Sequence, residues 1–135
     1  MGLRDKITII ERKKLGDTRG WFMKTINGHE QGLPNYTGEI YVTYASGLNK
    51  IRGDHYHSKA TEWFILLQGK SELKLMDMDT KEMVTMLLSA DEPRTIVVPP
   101  NIAHAFKNVQ EEPFLLLAYT DELYDPEDTI STSIY

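Results

Sequence analysis

The sequence predicts an all-β sandwich or barrel, on three observations. Apolar and β-branched residues fall into many short runs; turn-forming clusters separate those runs; and no long segment keeps the 3.6-residue period of a core-facing helix. Taken in order, residues 7–10 form a β-branched run. A turn over Gly16-Asp17-Thr18-Arg19-Gly20 leads into a predicted strand over 20–26. Residues 39–45 (EIYVTYA) are aromatic and β-branched, types that fit a pleated, half-buried surface. Residues 63–67 are continuously apolar, as in a strand covered on both faces. Residues 71–77 alternate, with Leu73 and Leu75 on one face and Glu72, Lys74 and Met76 on the other. Asp77-Met78-Asp79-Thr80 then makes a hairpin turn and 82–88 returns. Strands over 96–98, 103–107 and 114–119 complete the set, and the polar residues 125–135 read as an arm or tail after the barrel.

Length and composition fit one domain over 1–135: the chain has 135 residues, and 41% hydrophobic content is enough for one core. There is no cysteine, hence no disulfide framework and no thiolate metal site. A net charge of −5 argues against general nucleic-acid binding. No apolar run reaches transmembrane length and residues 1–14 are too charged for a signal peptide, so the expectation is a cytoplasmic protein without a membrane partner. Met76, Met78, Met83 and Met86 lie on or beside one hairpin and read as core filling or a dimer surface. Asp121, Glu122, Asp125, Glu127 and Asp128 read as a solvated acidic face, and His29 as a loop residue.

Two segments carry chemistry. The first is Arg52-Gly53-Asp54-His55-Tyr56-His57, followed after four residues by Glu62 and after six more by Gly69. The second is Pro99-Pro100-Asn101-Ile102-Ala103-His104, followed after three residues by Asn108. Side chains alternate faces along a strand, so His55 and His57 project to one side. A turn after His57 would start the neighbouring strand at Glu62, close to both. His104 must arrive from a strand far along the chain. Singly, each histidine is more often a surface or core residue than a ligand. Together, three imidazoles and a carboxylate suit a divalent transition metal, zinc before manganese, iron, cobalt or nickel.

These segments resemble the two cupin motifs, whose metal-binding members take two His and a Glu from the first motif and one His from the second. The resemblance implies a cupin double-stranded β-helix, a small jelly-roll barrel, with metal ligands His55, His57, Glu62 and His104. Asn101 replaces the usual glycine of the second motif, and Pro93 stands near where that motif would open with a glycine. Asn tolerates a left-handed backbone, so a turn at Asn101 is still expected. Asp17-Thr18-Arg19-Gly20-Trp21-Phe22, Arg52-Gly53-Asp54-His55 and Tyr124-Asp125-Pro126 are similar to the D-x-R-G-x-F, R-G-x-H and Y-x-P segments of nucleotide-sugar 3,5-epimerases. The second half also resembles the cupin domains that capsular-polysaccharide enzymes join to a reductase. The chain's length is similar to that of stand-alone sugar 3,4-ketoisomerases.

The resemblance implies proton transfer beside the keto group of a 4-keto-6-deoxy nucleotide sugar. Such an enolate path needs a base, an acid and a group that stabilises the enolate oxygen, a role a divalent metal can fill. Arg19 and Arg52 are candidates for the diphosphate, because guanidinium pairs well with phosphate oxygens. Tyr119 and Tyr124 are candidate acids. In the metal-free epimerases the residue matching His55 is the base, but a metal-bound nitrogen cannot also accept a proton. The complete ligand set favours metal and leaves the base open among a tyrosine, Lys59 and Lys24. Rival readings are a cupin dioxygenase or phosphosugar isomerase, and a sugar-binding cupin without turnover. A small barrel also leaves open strand edges, from which a homodimer with N-terminal residues at its interface is expected.

Overall fold

The computed structural model describes residues 2–30, 32–33 and 38–135. In chain order these form a one-turn helix α1 (Leu3–Lys6) and the strands β1 (Thr8–Glu11), β2 (Leu15–Asp17), β3 (Gly20–Phe22), β4 (Glu39–Ala45), β5 (Ile51–Tyr56) and β6 (Glu62–Gln68). There follow β7 (Lys70–Asp77), β8 (Met83–Ser89), β9 (Arg94–Val98), β10 (Ile102–Asn108), β11 (Phe114–Thr120), a 3₁₀ turn at Pro126–Asp128 and β12 (Ile130–Ser131). One five-stranded sheet has the order β1-β9-β6-β11-β4, the other β12-β5-β10-β7-β8, and β2-β3 stands apart as a hairpin. Every pairing is antiparallel.

The two large sheets share one core through their inner faces. Phe64 and Leu66 of β6 and Phe114 and Leu116 of β11 meet Leu73 and Leu75 of β7 and Phe106 of β10. The Phe64 and Phe106 rings stand 4.9 Å apart and nearly edge to face, a favoured aromatic geometry. Leu73 and Leu75 point inward as the alternation of β7 requires, and Glu72, Lys74 and Met76 are half-buried on the other face. Met76 and Met78 fill a second, outer cluster with Ile134, while Met86 packs on the main core and Met83 is exposed.

The structure corrects or sharpens the sequence reading at several elements, among them β2, which takes Gly16 and Asp17 from the expected turn. The expected strand over 20–26 pairs only as far as Phe22. Beyond it the Thr95 hydroxyl donates to the Thr25 carbonyl, which ties the chain to β9 by a side chain instead of a ladder. Helix α1 was not expected; it buries Leu3, while the Leu3 N–H donates to Glu82 in front of β8. Of the arm or tail expected over residues 125–135, the structure has the arm: Ile130 and Ser131 pair with Tyr56 and His55, and Ile134 is buried against Ala103 and Ala105.

Candidate metal centre and cleft

His55 and His104 meet because β5 and β10 are neighbours, with the two residues directly opposed in register. One residue further on, Ala105 opposes Gly53, so Asp54 is an extra residue and β5 carries a bulge. Gly53 and Asp54 both have positive φ, 81° and 65°. Glycine is required at the first of these, since a Cβ there would stand 2.9 Å from the His104 carbonyl oxygen. The bulge re-aims the strand so that the His55 ring lies 4.9 Å from those of both His57 and His104.

His57 follows the end of β5. Its carbonyl accepts from the N–H of Asn101, whose φ of 65° gives the left-handed turn expected there. Glu62 begins β6, as anticipated, but β6 is not the neighbour of the histidine strand. It lies between β9 and β11 in the opposite sheet, so Glu62 reaches the histidines across the barrel. A strand pattern shows where a strand starts and not which sheet receives it. Donor atoms of His55, His57, Glu62 and His104 all lie within 4.8 Å of one another.

The hydrogen bonds at the back of this cluster decide which nitrogens face it. His57 Nδ1 lies 2.8 Å from the Asp128 carbonyl and His104 Nδ1 lies 3.2 Å from the Ile102 carbonyl. Carbonyl oxygens only accept, so each Nδ1 carries the hydrogen, and in the neutral form of either ring Nε2 presents a lone pair. Those lone pairs face Glu62 Oε1, at 2.9 Å for His57 and 3.3 Å for His104. Three acceptors converging at such distances repel unless a proton or cation lies among them. Buried Glu62 Oε1 and His104 Nε2 indeed lack a properly directed hydrogen bond. The other carboxylate oxygen accepts from the Tyr41 hydroxyl at 2.5 Å. Ligand types, tautomers and outer hydrogen bonds therefore fit a divalent cation.

Proton affinities follow from the same contacts. Burial, then His104 and His57, push His55 down to about 4, so it is neutral near pH 7. Burial also works against a charged His57, but the Glu62 carboxylate and the Asp128 carbonyl outweigh it and raise its pKa. At Glu62 burial favours the neutral acid, yet His104 and His57 hold the carboxyl well below the usual carboxylate range. Burial and Glu62 raise the Tyr41 phenol.

The cluster lines a cleft of about 410 Å³. Arg52 and Tyr124 also line it, Tyr124 at 70% exposure. Tyr119 does not. It lies on the outer face of β11, stacked on Trp63 at 5.0 Å, whereas Leu116 and Thr120 take the inner parity. Arg19 lies on the β2–β3 hairpin, paired with Asp17 at 2.7 Å, outside the cleft of its own chain. Exposed Lys24 and Lys59 do not line the cleft either, and His29 is exposed as expected.

Two residues were missed. Tyr41 belongs to the inward parity of β4, opposite to Ile40, Val42 and Tyr44, and that alternation was its signal. Asp128, read as part of a solvated face, is 7% exposed. Asp121 departs from that reading too, accepting from the Thr61 N–H at 2.9 Å. In both cases a backbone donor draws one carboxylate of the acidic segment inward.

Comparison with known proteins gives concordant results. A Bacillus subtilis (strain 168) protein described as spore coat polysaccharide biosynthesis protein SpsL is 23% identical over 128 residues, covering 91% of this chain and 83% of that one. The solved structure of dTDP-4-dehydrorhamnose 3,5-epimerase from Bacillus anthracis superposes with a TM-score of 0.82 at 23% identity, covering 96% of this chain and 79% of that chain. QdtA, a sugar 3,4-ketoisomerase from Thermoanaerobacterium thermosaccharolyticum, superposes with a TM-score of 0.76 at 24% identity, covering 93% and 87%. These likenesses establish the cupin jelly-roll fold. Residues 15–131 match the family model described as the polysaccharide biosynthesis C-terminal domain, a span that runs from the hairpin through all four clustered residues to β12, and the chain belongs to that family.

Proposed function

We propose that the protein transfers protons beside the keto group of a 4-keto-6-deoxy nucleotide sugar, giving an epimer or keto isomer for surface-polysaccharide synthesis. The observation that carries this reading is the convergence of His55, His57, Glu62 and His104 in a cleft that Arg52 also lines. Similarity to a 3,5-epimerase, a 3,4-ketoisomerase and a spore-coat polysaccharide protein supports the substrate class.

In this proposal the four residues hold one divalent cation, zinc before manganese, iron, cobalt or nickel. When bound, it would supply an electrophile for the sugar's keto oxygen. The rest falls to the chain's own groups. Arg52 holds the diphosphate by charge-assisted hydrogen bonds. Tyr124, at the cleft, is the candidate acid. Tyr41 keeps its hydroxyl on Glu62 and so fixes the direction of that carboxylate. Arg19 serves the same diphosphate only if its exposed hairpin reaches the cleft of a second copy, which is one reason to expect a homodimer. A cytoplasmic location is part of the proposal. Among the described residues no helix is long and apolar enough to cross a membrane.

One observation favours a metal-free variant of this reading. His57 Nε2 lies 2.9 Å from Glu62 Oε1 and its pKa is raised, so a proton could occupy the space between them. Neutral His55 would then be the base. Metal analysis of protein purified without chelator, with re-addition to the apo-protein, separates the two: one equivalent is expected, and none bound under either condition leaves the metal-free pocket.

The activity test is incubation with 4-keto-6-deoxy nucleotide sugars in deuterated water, reading exchange sites by NMR. Exchange at carbons next to the keto group is expected. No incorporation into any such sugar would leave a binding module. Tyr124→Phe keeps the ring and removes the acidic O–H, so turnover should fall by roughly 10²- to 10⁴-fold. Unchanged turnover would remove Tyr124 from the acid role.

A further inference from the structure

His57 has an unusual position among the clustered residues. It lies beyond the last residue of β5, so no strand ladder fixes its backbone on both sides. Behind the cluster two contacts from elsewhere in the chain hold it: the Asn101 N–H to its carbonyl at 2.7 Å, and the Asp128 carbonyl to its Nδ1 at 2.8 Å. We propose that Asp128 is a positioning residue for this site: its carboxylate clamps the backbone that follows His57, and its own carbonyl thereby aims the His57 ring.

The Asp128 side chain turns inward and accepts from the two residues next after His57. Oδ1 takes the Ser58 N–H at 2.7 Å and the Ser58 hydroxyl; Oδ2 takes the Lys59 N–H at 3.2 Å. A carboxylate that caps two successive N–H groups would be an ordinary loop anchor anywhere. Here the same residue's carbonyl sits on the imidazole, so the clamp and the aim belong to one residue. The carbonyl fixes the tautomer, leaving the Nε2 lone pair toward Glu62, and it sets the ring's angle about its own axis. Asp128 is itself held from behind. The chain after it pairs Ile130 with Tyr56 and Ser131 with His55, and the N–H groups of Thr132 and Ile134 reach the Asp54 carbonyl and side chain at 3.0 and 2.9 Å. Without this arm, β5 would have β10 as its only described ladder partner. The inference concerns the aim of an imidazole. It rests on the metal reading of the proposed function only for its affinity measurement.

Two measurements on the full chain test it. In the metal-free protein, two-bond proton–nitrogen NMR reads the tautomer of each histidine. Measured at a pH well above the raised pKa of His57, where its Nε2 has lost its proton, wild type should show His57 and His104 each as a single Nδ1–H form. Asp128→Ala should convert His57 to a mixture of tautomers and leave His104 unchanged, because that ring is held by Ile102 of its own strand. Affinity for Zn²⁺ or Co²⁺ by calorimetry should fall about 10- to 100-fold, the usual cost of losing an outer partner of a metal-bound histidine. Asp128→Asn keeps the shape but turns a donor toward the Lys59 N–H; it should shift both readouts the same way by less, and it decides the matter if the alanine variant does not fold. An unchanged His57 tautomer in the folded variant overturns the proposal, as does equal loss of the His57 and His104 signatures, which would mark a merely structural residue. If wild type binds neither ion, the metal reading fails and the tautomer measurement alone decides this one.

Discussion

The cluster inside the barrel and the β2–β3 hairpin outside it both correspond to sequence segments that resemble the same enzymes, yet they end in opposite states. At the cluster, Arg52-Gly53-Asp54-His55 and the strand bearing His104 close on each other and on Glu62 within one chain. At the hairpin, Leu15, Trp21 and Phe22 are 64%, 55% and 59% exposed, and the Arg19 side chain is 87% exposed. Polar exposure at a turn is ordinary. Three large apolar side chains exposed on one hairpin are less so, and exposed apolar patches are common at interaction surfaces. The difference teaches that one chain by itself brings the four residues together at the floor of the cleft, while it leaves the hairpin's apolar face uncovered, which is why the proposal expects a second chain there.

The comparison breaks most visibly if the cluster is opened. Glu62→Gln keeps the volume and the contact with Tyr41 but removes the charge that balances a cation. Metal affinity should drop by more than about 100-fold, beyond the loss typical of outer-shell changes. Calorimetry with Zn²⁺ would show it, and affinity near wild type would mean that the histidines alone form the site.

Gly53→Ala attacks the same cluster through the backbone. A methyl group at φ 81°, 2.9 Å from the His104 carbonyl oxygen, forces the bulge to shift. The strain should cost about 1–3 kcal/mol in urea unfolding. Metal affinity should fall as well, because His55 lies two residues on. Loss of stability with intact affinity would show that the bulge is not what aims His55.

How much of this was legible follows from the kind of information each residue carries. His55, His57, Glu62 and His104 stood out because their side chains are what a metal needs, and order along the chain is enough to group them. The sheet that receives Glu62 was not legible, since pairing depends on which edges meet. Asp128 was hidden among four other acids, because charge density along a sequence does not say which carboxylate finds backbone donors. Tyr119 and Tyr124 looked alike as phenols. Strand parity separates the first from the cleft, but only once Leu116 and Thr120 are known to point inward. The turn at Asn101 was legible because Asn stands where the resembling motif has its glycine and tolerates the left-handed backbone found there.

A gentler probe of the cluster is pH, in metal-free protein. His55 has a folded pKa of about 4, below its ordinary value of 6.5, so between these values the unfolded chain binds the extra proton. Stability should therefore fall as pH drops from 6.5 toward 4. His57 is raised, so its contribution is complete below its unfolded value and fades as pH rises through the folded one. The two histidines act in separate windows on either side of 6.5. Urea midpoints across pH 4–8 for wild type and His55→Gln check this: the variant should lose much of the acid-side slope and keep the alkaline side. An unaltered acid limb would assign that slope to carboxylates elsewhere.

The hairpin side of the comparison predicts the smallest effect on the isolated chain and a qualitative one on assembly. Trp21→Ser with Phe22→Ser removes apolar surface that its own chain leaves exposed, so the unfolding free energy of a monomer should change little, within about 0.5 kcal/mol. Zinc affinity should not change, since the cluster lies in the barrel. A wild-type dimer, measured by light scattering at micromolar concentration, should become a monomer. Activity should then fall through KM for the nucleotide sugar if Arg19 of a second copy reaches the diphosphate. A variant that stays dimeric would move the interface to β4, an edge strand that leaves Ile40, Val42 and Tyr44 in water. A monomeric variant with unchanged KM would keep the hairpin as an interface and leave Arg52 to hold the diphosphate without Arg19.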